Sequence, residues 1–225
     1  YTLVYTLSLH DALPISGNPL GEKHPDTDIF NAIDRLYHEN IPVLIDSPYR
    51  RVFMDDEDDL YQRLLKYPNV IIVDSFSKSM GLSGQRIGFL HSQDETFILE
   101  AKQRLLYATN GVNAFAQELI YKLISTEEGK ATIQKFKKET SLAIAKNIDF
   151  LINNNLLSTE FYKNSKPMGI FASINRTEEE LLAKKISAVS MSYFSIEPEK
   201  HKNHSRICVS VPHEKFVKYL NPLVK

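Results

Sequence analysis

The chain has 225 residues, 43% of them hydrophobic and 24% charged, an ordinary globular balance that excludes disorder as the general state. Lys plus Arg total 27 against 28 for Asp plus Glu, a net charge of −1, so no broad field exists to hold a nucleic acid or a membrane surface. The one cysteine, Cys208, excludes an internal disulfide and a cysteine-based zinc site, which fits a reducing cytoplasm and small-molecule or protein partners.

Residues 1–16, YTLVYTLSLHDALPIS, lack the basic leading region of a signal peptide and are too short and interrupted to span a bilayer. YTLSLHDALPIS resembles the translation of a sequencing adapter, so residues 1–16 are expected to be a non-native leader and the genuine protein to begin near Gly17. From Thr27, Ile29, Phe30, Ile33, Leu36 and Tyr37 recur at three- and four-residue spacing, predicting an amphipathic helix. IPVLID then reads as a strand. The acidic run DDEDD leads into the short helix LYQRLLKY, where carboxylates suit a helix start better than a metal site, and NVIIVD is a second strand. Continuously apolar strands alternating with helices predict an α/β fold built on a mostly parallel sheet.

Beyond Gly88 the pattern is helical, over about Glu95–Tyr107, Asn113–Ile124 and the long stretch that ends at NNN before Leu156. The remainder, with GIFASI, SMSYFSI and RICVSV as strands and EEELLAKKI and HEKFVKYLN as helices, predicts a smaller α+β domain. The expected division is residues 17–140 as a partial large domain, including part of the bridging helix, and residues 141–225 as a small one. His201 and His204 in HKNHS are expected to lie in a solvated loop, since the histidines lack metal-ligand spacing.

Chemistry concentrates in SFSKSMGLSGQRIGF, immediately after the NVIIVD strand. A Schiff-base enzyme needs an amine that can lose its proton, and Lys78 stands where a strand gives way to a turn. Ser75 and Ser77 offer hydroxyls, Gly81 and Gly84 let backbone come close to a ligand, and Arg86 supplies a forked cation suited to phosphate. Ser75, Ser77, Lys78, Gly81, Gly84, Arg86, Ile87 and Gly88 match in order the lysine signature of class I/II pyridoxal-phosphate aminotransferases of fold type I, which the segment therefore resembles.

The resemblance implies roles for residues elsewhere. Asp46 of LIDSPY, which alone reads as a turn-starting aspartate before Ser-Pro, would hold the cofactor's pyridine nitrogen protonated, and Tyr49 would bond its ring hydroxyl. GNPLGE resembles the family's Asn-Pro-Thr-Gly element with Leu20 in place of threonine, making Asn18 a second partner of that oxygen and a neighbour of the substrate; alone it is a plain Asn-Pro turn. Arg206, either a strand-end arginine in water or a residue paired with an anion, would take the substrate α-carboxylate in a bidentate fork. KPMGIF resembles the small-domain Pro-any-Gly element through Pro167 and Gly169. Ser75, Ser77 and Arg86 would anchor the phosphate.

The implied activity is transamination between an amino acid and a 2-oxo acid with pyridoxal 5'-phosphate as cofactor, in a cytoplasmic homodimer. The resemblance runs from Gly17 onward and corresponds to the C-terminal part of such an enzyme, so the chain is expected to be a fragment, inactive alone, with an open sheet edge and exposed apolar surface. Two other readings stay open. Lyases, decarboxylases and synthases share the fold and lysine motif, and an aminotransferase-like domain also serves as the sensor of transcriptional regulators.

Overall fold

The computed structural model describes residues 12–14, 18–21, 25–52, 58–163 and 165–224. Most of the expected leader, residues 1–11 and 15–16, lies outside the described residues, as does most of the acidic run. The chain divides into two compact units. Of the described residues, the first comprises those within 12–14 and 25–135, and the second those within 18–21 and 136–224.

The first unit is built on four strands: β1 (Ala12–Pro14), β2 (Val43–Asp46), β3 (Val70–Ser75) and β4 (Gly88–His91), in the order β1-β2-β3-β4. The β1–β2 and β2–β3 pairs are parallel, with Val43 opposite Val70 and Asp46 opposite Val73, and β4 runs antiparallel to β3. Helix α1 (Asp26–His38) precedes β2, and the five-residue α2 (Leu60–Leu64) precedes β3. Side chains alternate across a strand, so Val43 and Ile45 face the same way as Val70 and Ile72. All four are buried against Ile29, Phe30 and Ile33 of α1 and Leu60 and Leu64 of α2, an apolar layer whose removal from water drives the unit's folding.

Where the acidic run is described it stands at a helix start: Asp59 occupies the N-cap position of α2 without a side-chain bond to the helix, and Asp58 accepts from Leu60 N–H at 3.1 Å. Asp58 also pairs with Arg50. The Arg50 side chain is 3% exposed, and its guanidinium forks onto Asp58 at 2.7 Å and onto Asp26 at 2.8 and 3.1 Å. Burial works against this charge, but the bonds to the two carboxylates outweigh it and hold Arg50 firmly protonated.

After β3 come the single-turn helix α3 (Phe76–Ser79), a 3-10 turn at Ser83–Gln85, β4, and helices α4 (Glu95–Thr109) and α5 (Ala114–Ser125). A small cluster of Ile87, Ala116 and Ile120, with Phe76 and Leu82 against it, fixes α5 to the segment that carries the lysine. Helix α6 (Glu127–Asn153) runs through the division between the units, which falls after Lys135.

The second unit has a three-stranded antiparallel sheet in which β7 (Ser205–Cys208) lies between β5 (Phe171–Ile174) and β6 (Val189–Ser190). Helices α7 (Glu178–Ala183) and α8 (His213–Leu220) follow β5 and β7. Ile144, Ile148 and Leu151 of α6 are buried at helical spacing. Between them Asn147, fully buried, donates to the carbonyls of Val209 (2.9 Å) and Val211 (2.8 Å) and meets His213 Nδ1 at 2.8 Å.

Three features differ from the sequence expectations. SMSYFSI is not a strand: the Ser190 hydroxyl accepts from Ser192 N–H and starts a 3-10 turn over Met191–Phe194, leaving only Val189 and Ser190 extended. His201 and His204 are not solvated. Both rings pack on Phe161, with centroids 5.2 and 5.3 Å away, and flank the Glu160 carboxylate at 3.1 and 3.6 Å, because the 3-10 turn Pro198–His201 folds back over that side chain. Among the described residues no group of three His, Cys, Asp or Glu could hold a metal ion. Residues 18–21, expected with the large domain, group with the second unit, where Met168 N–H donates to Gly21 C=O at 2.8 Å.

Candidate functional site

In the first unit the chemically distinctive residues gather at the C-terminal ends of two adjacent parallel strands, the end at which ligands bind in open α/β sheets. Asp46 closes β2, on the face opposite the core stripe, and its carboxyl pKa is raised by partial burial. Tyr49 lies half-buried in the turn that follows, before the 3-10 turn Arg50–Val52, and α3 packs against that turn. Ser75 ends β3 and caps α3, its hydroxyl accepting from Ser77 N–H at 3.1 Å. Ser77 is buried, and Lys78 is half-buried on the single turn of α3. Among the described residues Lys78 Nζ has no hydrogen-bond or ion-pair partner.

The rest of the lysine motif has distinct physical reasons for its residues. At Gly88 a Cβ would meet the Asp74 carbonyl oxygen at 2.5 Å, so the antiparallel approach of β4 to β3 requires glycine there. At Gly84 a Cβ would meet nothing within 4 Å, so the fold itself makes no such demand. Arg86 is held at φ +52°, in the left-handed region that costs a non-glycine residue about 1–3 kcal/mol, and its exposed guanidinium donates to Ser83 C=O at 3.1 Å.

One buried group escaped the sequence reading. Asp74, 4% exposed, lies in β3 on the same face as Val70 and Ile72. Its carboxylate accepts from Tyr61 O–H at 2.8 Å and Ser75 N–H at 2.6 Å, and Tyr61 O meets the buried Ser47 hydroxyl at 2.5 Å. The chain Ser47–Tyr61–Asp74 ties together the ends of the strands that carry Asp46 and lead to Lys78. Burial raises the Asp74 pKa, against the opposing pull of those two hydrogen bonds, and burial also raises that of Tyr61. The two-residue period that put Ile72 in the core also put Asp74 there, which was the available signal.

The second unit assembles the remaining predicted residues. Arg206, on β7, donates from Nη1 to Asn18 Oδ1 at 2.5 Å, and its guanidinium carbon lies over the rings of Phe171 and Phe194. Asn18 is brought there by a backbone clasp. Gly21 stands at φ +73°, and a Cβ on it would meet the Phe171 carbonyl oxygen at 2.5 Å; a Cβ on Gly169 would meet Gly21 Cα at 2.8 Å. Tyr162 O–H donates to Leu20 C=O at 2.7 Å and its oxygen accepts from Ser173 N–H at 3.0 Å. The Asn-Pro-Leu-Gly and Pro-Met-Gly elements thus pack against each other, with both glycines required by the contact.

The sequence pattern of the family described as aminotransferase class I and II matches residues 16–221. The chain is 26% identical over 161 residues to histidinol-phosphate aminotransferase of Wolinella succinogenes, covering 68% of this chain and 43% of that protein. It is similar in fold to a Thermus thermophilus aspartate aminotransferase tetra mutant (TM-score 0.75, 15% identity, 95% of this chain and 58% of that one). It is likewise similar to the α-aminoadipate aminotransferase LysN of Thermus thermophilus, solved with N-(5'-phosphopyridoxyl)-L-leucine (TM-score 0.75, 19% identity, 94% and 57%). The chain spans about half the length of the relatives it matches.

Proposed function

The chain belongs to the class I and II aminotransferase family, and from that premise we propose that it works in a pyridoxal-phosphate-dependent transfer of an amino group from an amino acid to a 2-oxo acid. The observation that carries the reading is Lys78: a half-buried amine, unpartnered among the described residues, one turn beyond the strand next to the one that ends in Asp46. The residues present fit the cofactor. A partly desolvated carboxylate such as Asp46 takes a cationic partner, which a protonated pyridine nitrogen provides. Gly84 leaves open space beside Arg86, whose exposed fork suits a phosphate.

When bound, pyridoxal phosphate supplies an electrophilic aldehyde and a ring that draws electrons from the substrate α-carbon. The chain's own residues supply the rest. Lys78 would hold the cofactor at its aldehyde carbon and would be the base that carries the substrate α-proton. Asp46 would hold the ring nitrogen, and Tyr49 the ring oxygen. Ser77 and Arg86 would hold the phosphate with the Ser75 cap. Arg206 would orient the substrate carboxylate, with Asn18 Oδ1 fixing the guanidinium while its amide nitrogen remains a donor to the ring oxygen. A homodimer and a cytoplasmic location belong to the same proposal; the exposed apolar side chains of α4 and α5 support the first and the single cysteine the second.

The test is nitrogen transfer. A full-length version of the protein with pyridoxal phosphate, offered ¹⁵N-labelled amino acids and a panel of 2-oxo acids, should deliver ¹⁵N into a new amino acid, and Lys78→Ala in it should abolish the transfer. Lys78-dependent release of ammonia or carbon dioxide without nitrogen transfer would overturn transamination in favour of a lyase or decarboxylase.

A further inference from the structure

We infer that Phe171 and Phe194 are positioning residues that clamp the Arg206 guanidinium into one plane for an in-plane planar anion, a carboxylate; the inference rests on the reading of Arg206 given above. The Arg206 Cζ lies 4.1 Å from the centroid of the Phe171 ring and 4.7 Å from that of Phe194. Strand β7 is the middle strand of its sheet. Phe171 opens β5 on one side, and Phe194 ends the 3-10 turn that follows β6 on the other. The two rings therefore reach the same guanidinium from the neighbours on both sides of its strand, and Asn18 Oδ1 sets one donor direction in the guanidinium plane.

A guanidinium donates hydrogen bonds only in its plane, while aromatic faces carry the negative part of the ring quadrupole. Ring contact answers the cation without using any of its N–H groups and keeps water off the stacked surface. The charge is then met through the in-plane N–H groups, whose fork matches the two coplanar oxygens of a carboxylate. Restricting the side chain before the ligand arrives also removes ordering entropy from the binding step.

Core packing does not account for Phe194. It is 36% exposed, its neighbour Tyr193 is 84% exposed, and Ile196 just beyond is fully exposed, so the turn is anchored through Met191 (3%). The Phe194 ring sits where it meets Arg206 and Tyr193.

The experiment is NMR on the 225-residue chain with ¹⁵N-labelled arginine, the Arg206 side-chain signals assigned through Arg206→Lys, and acetate as the probe. The wild type and Phe194→Tyr should show ring-current-shielded Arg206 N–H signals with slowed guanidinium rotation and an acetate-dependent shift. In Phe194→Leu the shielding should diminish and acetate should bind about two- to thirtyfold more weakly. Equal acetate affinity in Phe194→Leu and wild type would overturn the inference. So would unshielded Arg206 signals, or no acetate response, in the wild type, a result that needs no variant to fold. Phe194-dependent acetate binding without nitrogen transfer by the full-length version would leave the clamp standing and overturn the transamination reading. Transfer together with Phe194-indifferent binding would overturn the clamp alone.

Discussion

At the scale of single residues, the sequence pointed correctly to strand ends, because apolar runs such as VIIV end where a polar residue must leave the core. Asp74 shows the limit of that rule: it stayed in the core because Tyr61, thirteen residues earlier in the chain, supplies a hydroxyl, and no local pattern announces such a partner. Its pKa has a consequence for stability. A carboxyl whose folded pKa lies above its ordinary value of 3.8 binds its proton more tightly in the folded state. Its contribution to stability is therefore complete below that value and is lost as pH rises through the folded pKa. Asp46 is shifted in the same direction. Asp74→Asn removes one of these titrations while keeping an oxygen that can accept from Tyr61. The stability of wild type relative to Asp74→Asn, measured by urea unfolding from about pH 4 to about pH 7, should fall as pH rises. A difference that is flat or rises would show that Asp74 is not destabilised by its burial.

At the scale of elements, helices and parallel strands were legible because their periods are written locally, while the contacts that place Asn18 were not. Gly21 and Gly169 lie far apart in the chain, and nothing near either names the other; only the backbone approach explains both. SMSYFSI failed for a related reason. Its alternation suits a strand, but a serine that caps its own downstream backbone competes with sheet pairing. The glycines give a sharp comparison. Gly21→Ala and Gly169→Ala should each cost about 1–3 kcal/mol, by strain and overpacking, and release the Asn18 to Arg206 bond. Gly84→Ala, where a Cβ meets nothing, should stay within about 0.5 kcal/mol of wild type. Thermal or urea unfolding of the three variants checks this, and a Gly84→Ala as damaging as Gly21→Ala would refute the assignment of separate reasons to these glycines.

At the scale of the whole molecule, α4 buries none of its residues, and Leu99, Leu106, Tyr107, Phe115 and Tyr121 on α4 and α5 are all more than half exposed. Exposed large apolar side chains in this number on two successive helices are what an interaction site requires. Sedimentation velocity should show concentration-dependent self-association that Leu106→Lys with Phe115→Lys suppresses without loss of stability, since neither side chain is in the core. Monomeric behaviour at every concentration would contradict the proposed homodimer. The central claim, that Lys78 is the amine around which the site is organised, has a more direct test. The protein incubated with pyridoxal phosphate, reduced with borohydride and mapped by peptide mass spectrometry should carry its pyridoxyl label on Lys78, and Lys78→Ala should carry none above background. A label spread over surface lysines, or one indifferent to Lys78→Ala, would contradict the account.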